Sequence, residues 1–198
     1  MIPTIRTERL ILREMRDEDA QPWAELTRDP GVHRNVGTFP EFFSPLHAEM
    51  RMMVGRAAHA FGRWTNFAVD WDGVFIGTIG VSHARDTISI GGTTHAVGRS
   101  NIGYGFARAS WGKGIATEAC RAVIAWADET FDPLAYVASY YLDNPASGRV
   151  LEKIGLVKDG DPEPHFCMGR MENALAQNMI LPRTMRANPP SNQNTQAA

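Results

Sequence analysis

The chain has 198 residues, 43% of them hydrophobic and 21% charged, with a formal net charge of −2. This is the profile of a globular domain long enough to bury its own core, and the weak negative charge argues against nucleic acid or an anionic membrane as partner. Two cysteines, Cys120 and Cys167, are too few for a disulfide framework. No apolar run approaches the roughly 18 residues of a membrane helix. The opening MIPTIRTERLILRE has charges interrupting its apolar residues, unlike a signal peptide. A cytoplasmic protein with reduced thiols is expected.

In chain order, RLILR (Arg9–Arg13) reads as a strand. Asp17, with Glu18 and Asp19 behind it, reads as the N-cap of a helix running to about Arg28 and ended by Asp29-Pro30-Gly31. Residues 32–43, interrupted by Gly37 and Pro40, are expected to be irregular. Ser44-Pro45 supplies a cap and a first-turn proline for a second helix, in which Leu46, Met50, Met53, Val54, Ala57 and Phe61 recur at helical spacing.

The period then changes. Residues 66–70 and 74–82 read as two strands of a hairpin joined by Trp71-Asp72-Gly73, and 83–100 as a polar, glycine-rich excursion. A strand over Ile102–Arg108, a helix over Ile115–Thr130 and a strand over Leu134–Tyr141 follow. Asn144-Pro145 opens a helix to Ile154, closed by Gly155, and a last strand is expected at His165–Met171. The order describes one α/β domain over residues 1–182 with a mixed sheet, mostly antiparallel. The tail, 183–198, has few large apolar residues and is expected to be disordered.

The strand-to-helix loop WGKG (Trp111–Gly114) carries the chemical signal. A helix N-terminus presents unpaired N–H groups and a partial positive charge, an anion site in waiting. Glycines let a ligand approach those amides, and Lys113 adds a cation; the alternative is a turn that binds nothing. The Walker loop fails, because Gly114 follows Lys113 and Ala107 stands where its first glycine belongs. The dinucleotide fingerprint fails at Arg108 and Thr117. Gly103 and Gly105 mark a bulge or a close backbone approach within the preceding strand. A ligand lying along that strand and ending at the loop would account for both glycine pairs. The six histidines show no metal-ligand spacing, and no nucleophile elbow is present, so no metal is expected.

The stretches IGYGFARASWGKGIATEACRAVIAW and YVASYYLDNPASGRVLEKIGL, with the opening TERLILREMRDEDA, resemble the GNAT N-acetyltransferase superfamily. Within it the chain is most similar to the Rim-type ribosomal-protein N-terminal acetyltransferases, over about residues 4–175. The resemblance implies a central sheet splayed between two strands and flanked by helices. It implies transfer of an acetyl group from acetyl-CoA to a primary amine, on a protein N-terminus or a small molecule; the alternative is a non-catalytic acyl-CoA sensor. Acetyl-CoA would lie between the 102–108 and 134–141 strands, its pantetheine arm paired with the backbone of Phe106 and Ala107. Gly112, Lys113, Gly114, Ile115, Ala116 and Thr117 would hold the pyrophosphate behind Trp111, which replaces the family's usual Gln or Arg. Asn144 and Ser147 would face the thiol end. Leu151 occupies the place of the family's usual tyrosine acid, so Ser147 becomes the candidate proton donor, with Tyr140 and Tyr141 as alternatives. Asn101 stands where relatives often carry Glu, and the base is left unassigned. A monomer or a homodimer fits this reading.

Overall fold

The computed structural model describes residues 1–83, 89–90, 93–94 and 98–187. The chain begins with β1 (Ile5–Arg6), β2 (Leu10–Arg13), α1 (Ala20–Thr27), α2 (Pro30–His33) and α3 (Pro45–Ala60). It continues through β3 (Trp64–Trp71), β4 (Val74–Ser82), β5 (Ser89–Ile90), β6 (Thr93–Thr94) and β7 (Arg99–Phe106). Then come α4 (Ile115–Thr130), β8 (Ala135–Tyr141), α5 (Pro145–Lys153), β9 (Val157–Lys158), β10 (Glu163–Cys167), β11 (Glu172–Pro182) and α6 (Arg183–Ala187).

The β3–β4 hairpin turns on Asp72 and Gly73, whose φ angles of 52° and 78° are the left-handed pair that a tight hairpin needs. From this hairpin the sheet grows in the order β1-β2-β3-β4-β7-β8-β11-β10, with β9 on β11. Every neighbouring pair is antiparallel except β7 and β8. These two meet in parallel at Arg99, Ser100 and Asn101 only, opposite Ala135, Tyr136 and Val137. From Ile102 onward β7 stays on β4, while β8 stays on β11. The sheet therefore forks at its centre, and the mouth of the fork is where the sequence places the glycine loop.

Strand alternation builds two cores. Phe67, Val69, Ile79, Val81 and Ile102 face one side and meet Ile115, Ala119, Val123 and Ala127 of α4. Ala68, on the opposite face, meets Trp23 of α1 and Ala48 and Met52 of α3. At the β2–β3 edge, buried Arg13 donates two hydrogen bonds to Asp19 and two to Asp70, all between 2.6 and 2.9 Å. Both carboxylates are buried with it, so the three groups are stable only together.

Several expectations change. The first helix is not capped by Asp17: the Asp19 carboxylate accepts from the Arg16 N–H, and a 3-10 turn at Asp17–Asp19 precedes α1. Pro30–His33, which spans the expected helix end and the first two residues of the segment expected to be irregular, forms a helical turn, capped by Asp29 accepting from the Gly31 N–H. The apolar set that marks α3 points outward, and Ala48 and Met52 face the core instead. The last strand is not His165–Met171 but two strands, β10 and the eleven-residue β11, which inserts between β8 and β10. Most of the 83–100 excursion lies outside the described residues; within it Ser89–Ile90 pairs with Thr93–Thr94. Of the tail expected to be disordered, Arg183–Ala187 is helical, and the remainder lies outside the described residues. No helix among the described residues is long and apolar enough to cross a membrane.

Candidate active site

The fork opens onto a cavity of about 250 Å³. Tyr104, Gly105 and Phe106 of β7 form one wall, Asn144, Ser147 and Val150 of α5 the other, and Gly31, Val32, Asn35 and Val36 the roof. Ser110, Trp111, Gly112 and Gly114 lead from β7 into Ile115, Ala116 and Thr117 at the start of α4. A wider depression of about 1010 Å³ runs along the outer side of α4 and shares only Gly114, Thr117 and Lys153 with this cavity. It is shallow and lined by exposed charged side chains, and it lies outside the fork.

Gly112 and Gly114 have φ of 73° and 78°. This left-handed conformation is what glycine provides here, since a Cβ on Gly112 would meet nothing within 4 Å. Gly114 is the N-cap of α4 and brings no capping side chain. The first-turn amides are thus left for a ligand, as an anion site requires. Lys113 turns away: its ammonium lies 4.8 Å over the Trp71 ring. The cations at the cavity are Arg149 and Lys153, one helical turn apart on α5. Sequence reading passed over both because they sit among the ordinary charged residues of an exposed helix face.

The backbone of Ala107 is already committed. Its N–H donates to the Ile76 carbonyl, and its carbonyl accepts from the N–H and the hydroxyl of Ser110. The expectation that Ala107 pairs with a pantetheine arm is therefore corrected. Antiparallel alternation points the polar groups of Phe106 the other way, into the fork. The Phe106 carbonyl accepts from the Trp111 indole N–H at 2.8 Å. Trp111 thus ties the glycine loop to the end of β7.

Two clamps hold the roof. Arg108 makes a bidentate pair with Asp29 (2.7 and 2.8 Å) and lies 5.0 Å over the Trp111 ring. A Cβ on Gly31 would come within 2.6 Å of the Arg108 guanidinium and 2.8 Å of the Trp111 ring, so a larger residue there would force these side chains to shift. The Arg108 hydrogen bonds, helped by the Gly31 N–H, hold the Asp29 carboxyl below its usual range. On the other side Arg170 donates twice to Asp143, at 2.6 and 2.9 Å, and also to Asn35 and the Arg34 carbonyl. Its side chain is only 6% exposed. Arg170 likewise holds the Asp143 carboxyl low.

Inside, the Tyr104 hydroxyl lies 2.9 Å from Ser147 Oγ. Burial pushes the Tyr104 phenol well above its ordinary range, so it stays protonated, and either hydroxyl can donate in this contact. Asn144 caps α5 by accepting from the Ser147 N–H at 3.3 Å, which fixes Ser147 at the cavity wall. Tyr140 packs its ring against Gly148, where a Cβ would come within 2.7 Å, and does not line the cavity. The Tyr141 hydroxyl donates to the Phe166 carbonyl. Leu151 is in the core. Tyr104 is the residue that sequence reading missed; its strand was read for its two glycines, and the tyrosine between them was given no role. Among the described residues lining the cavity there is no Asp, Glu or His.

A splayed α/β sheet with an uncapped, glycine-led helix at the mouth of the splay defines the class of protein. The acetyltransferase (GNAT) domain profile matches residues 9–157, and the chain belongs to this family: it is an acetyl-CoA-dependent N-acetyltransferase. It is 28% identical over 167 residues to the uncharacterized N-acetyltransferase YoaA of Bacillus subtilis, covering 81% of this chain and 86% of that one. The fold matches Mycobacterium smegmatis RimJ in complex with CoA-disulfide, with a TM-score of 0.76 at 19% identity, over 95% and 88% of the two chains. It also matches RimL, a ribosomal L7/L12 alpha-N-protein acetyltransferase in complex with coenzyme A, with a TM-score of 0.75 at 13% identity over 91% and 98%.

Proposed function

We propose that the acceptor is an α-amine, on a peptide N-terminus or a small molecule that carries one, and that transfer occurs in the β7–β8 fork. The observation that carries this is the lack of any carboxylate or imidazole among the described residues lining the cavity. Without a base, the amine must arrive neutral. An α-amine, with a pKa of about 8, does so readily near neutral pH, whereas a lysine side chain near 10.4 does not. That RimL is an α-N-protein acetyltransferase supports the same reading.

Acetyl-CoA is the second substrate. The amides at the start of α4 and the cations Arg149 and Lys153 suit its phosphates, and the Phe106 N–H suits its arm. The neutral amine attacks the thioester carbonyl; a C–N bond forms, and the carbonyl π electrons move to oxygen. The C–S bond then breaks. The nitrogen must lose a proton and the sulfur must gain one. Ser147 relays it, accepting from nitrogen and donating to sulfur, so the protons balance without an external base. With Tyr104 as the donor in its 2.9 Å contact with Ser147 Oγ, the serine proton is free to point into the cavity. This assigns the donor role to Ser147 rather than Tyr140. CoA release, followed with a thiol reagent across free-α-amine peptides, small amines and N-terminally blocked lysine peptides, tests the assignment. Tight acetyl-CoA binding without release on any acceptor would instead indicate the acyl-CoA sensor.

A further inference from the structure

We infer that α3 is the two-fold interface of a homodimer. Its outward face carries Leu46, Met50, Met53, Val54, Ala57 and Phe61, all exposed. The five large side chains are between 55% and 79% exposed. Scattered exposed apolar residues need no explanation, but a continuous stripe does. With Phe42, 82% exposed beside the start of the helix, the stripe offers on the order of 800 Å² per copy, what one partner contributes to a standard interface.

The spacing identifies the occupant. Reading from Leu46 to Phe61 the steps are four, three, one, three and four residues, and the order is the same read backwards. An antiparallel copy of the helix, related by a two-fold axis between Met53 and Val54, therefore superposes the stripe on itself. Leu46 then faces Phe61 of the second copy, Met50 faces Ala57 and Met53 faces Val54. Such self-complementarity is what an isologous interface requires, and an unrelated partner would not demand it.

The charges beside the stripe agree. Glu49 and Arg56 are seven residues apart and lie on one flank of α3, and both are exposed. The two-fold axis brings each flank against its own copy. Glu49 then lies level with residue 58 of the second copy, about 3 Å of helix rise from that copy's Arg56. The contact recurs by symmetry, so opposite charges meet twice. Within its own chain Arg56 also meets Glu14 at 3.5 Å, Asp17 at 3.4 Å and the Met15 carbonyl at 3.0 Å. The core-facing side of α3, Ala48 and Met52, takes no part.

Sedimentation of the full chain at tens of micromolar decides it. Twice the chain mass is expected, and Met53→Glu, which sets two like charges beside the axis, should weaken the dimer at least about 100-fold with an unchanged circular dichroism spectrum. Because both native cysteines are buried, Met53→Cys should cross-link two copies under mild oxidation at low concentration. A monomeric wild type at 100 μM, or a Met53→Glu variant that remains dimeric, would overturn the proposal. So would a monomeric wild type whose Met53→Glu variant loses transfer to peptides but keeps it to small amines, since the stripe would then be an acceptor dock.

Discussion

The Tyr104 hydroxyl and Ser147 Oγ stand 2.9 Å apart across the fork, one on β7 and the other on the first turn of α5. Removing the tyrosine hydroxyl leaves Ser147 Oγ without this hydrogen-bond partner. Tyr104→Phe and Ser147→Ala should each lower kcat about 100-fold, the low end of what positioned proton transfer contributes. KM for acetyl-CoA should change less than about threefold. Tyr140→Phe, at a residue packed on Gly148, should leave kcat within about twofold. Steady-state kinetics on the three variants checks this.

The pH profile follows from the same site. With no acid or imidazole among the described cavity residues, kcat/KM should rise with pH as the acceptor deprotonates and level off above its pKa, near 8 for an α-amine. No falling limb is expected up to about pH 10, because burial holds Tyr104 protonated beyond its ordinary range near 10. A bell-shaped profile centred near pH 7 would instead reveal a titrating base.

Arg149 and Lys153 are expected to read phosphate. The double variant Arg149→Ala, Lys153→Ala should raise KM for acetyl-CoA about tenfold and leave the rate with acetyl-pantetheine, which lacks the nucleotide, unchanged. Comparing the two donors separates phosphate recognition from a general loss of folding.

The roof clamps give an acid-sensitive signature. Asp29 has a lowered pKa in the folded chain, so its stabilisation is full above the unfolded value of about 3.9 and is lost as pH falls through the folded value. Wild type should melt above Asp29→Asn at pH 6, and the difference should shrink as acid protonates Asp29 in the folded chain. Differential scanning calorimetry across that window checks the sign.

Arg13→Met should be the most costly of the structural changes. It strands two buried carboxylates, a loss of about 3–5 kcal/mol, measurable by urea unfolding.

Much of the fold was legible because local signals agreed with tertiary ones. Ile115, Ala119, Val123 and Ala127 both make a helix and face the core, and Asp72-Gly73 both turns the chain and sets the hairpin. In α3 the two levels disagree: the helical period was right, but it marked an outer face. β11 was invisible because Asn173, Ala174, Ala176, Gln177 and Asn178 have little strand preference. Pairing makes them a strand: Asn173 and Ala174 pair with β10, Gln177 and Asn178 with β8, and Ala176 with both. The loop before α4 could be singled out by its glycines, and the structure gives them a left-handed backbone at Gly112 and Gly114. Tyr104 could not be read, because its partner Ser147 lies 43 residues away and only the fork brings them together.

The most direct test uses one peptide with both a free N-terminal α-amine and an internal lysine, incubated with acetyl-CoA at pH 7 and localised by tandem mass spectrometry. Acetyl on the α-amine, with the lysine untouched, is the expected result. Acetyl on the lysine side chain, or transfer to that lysine at equal rate, would contradict a site that relies on the acceptor arriving neutral.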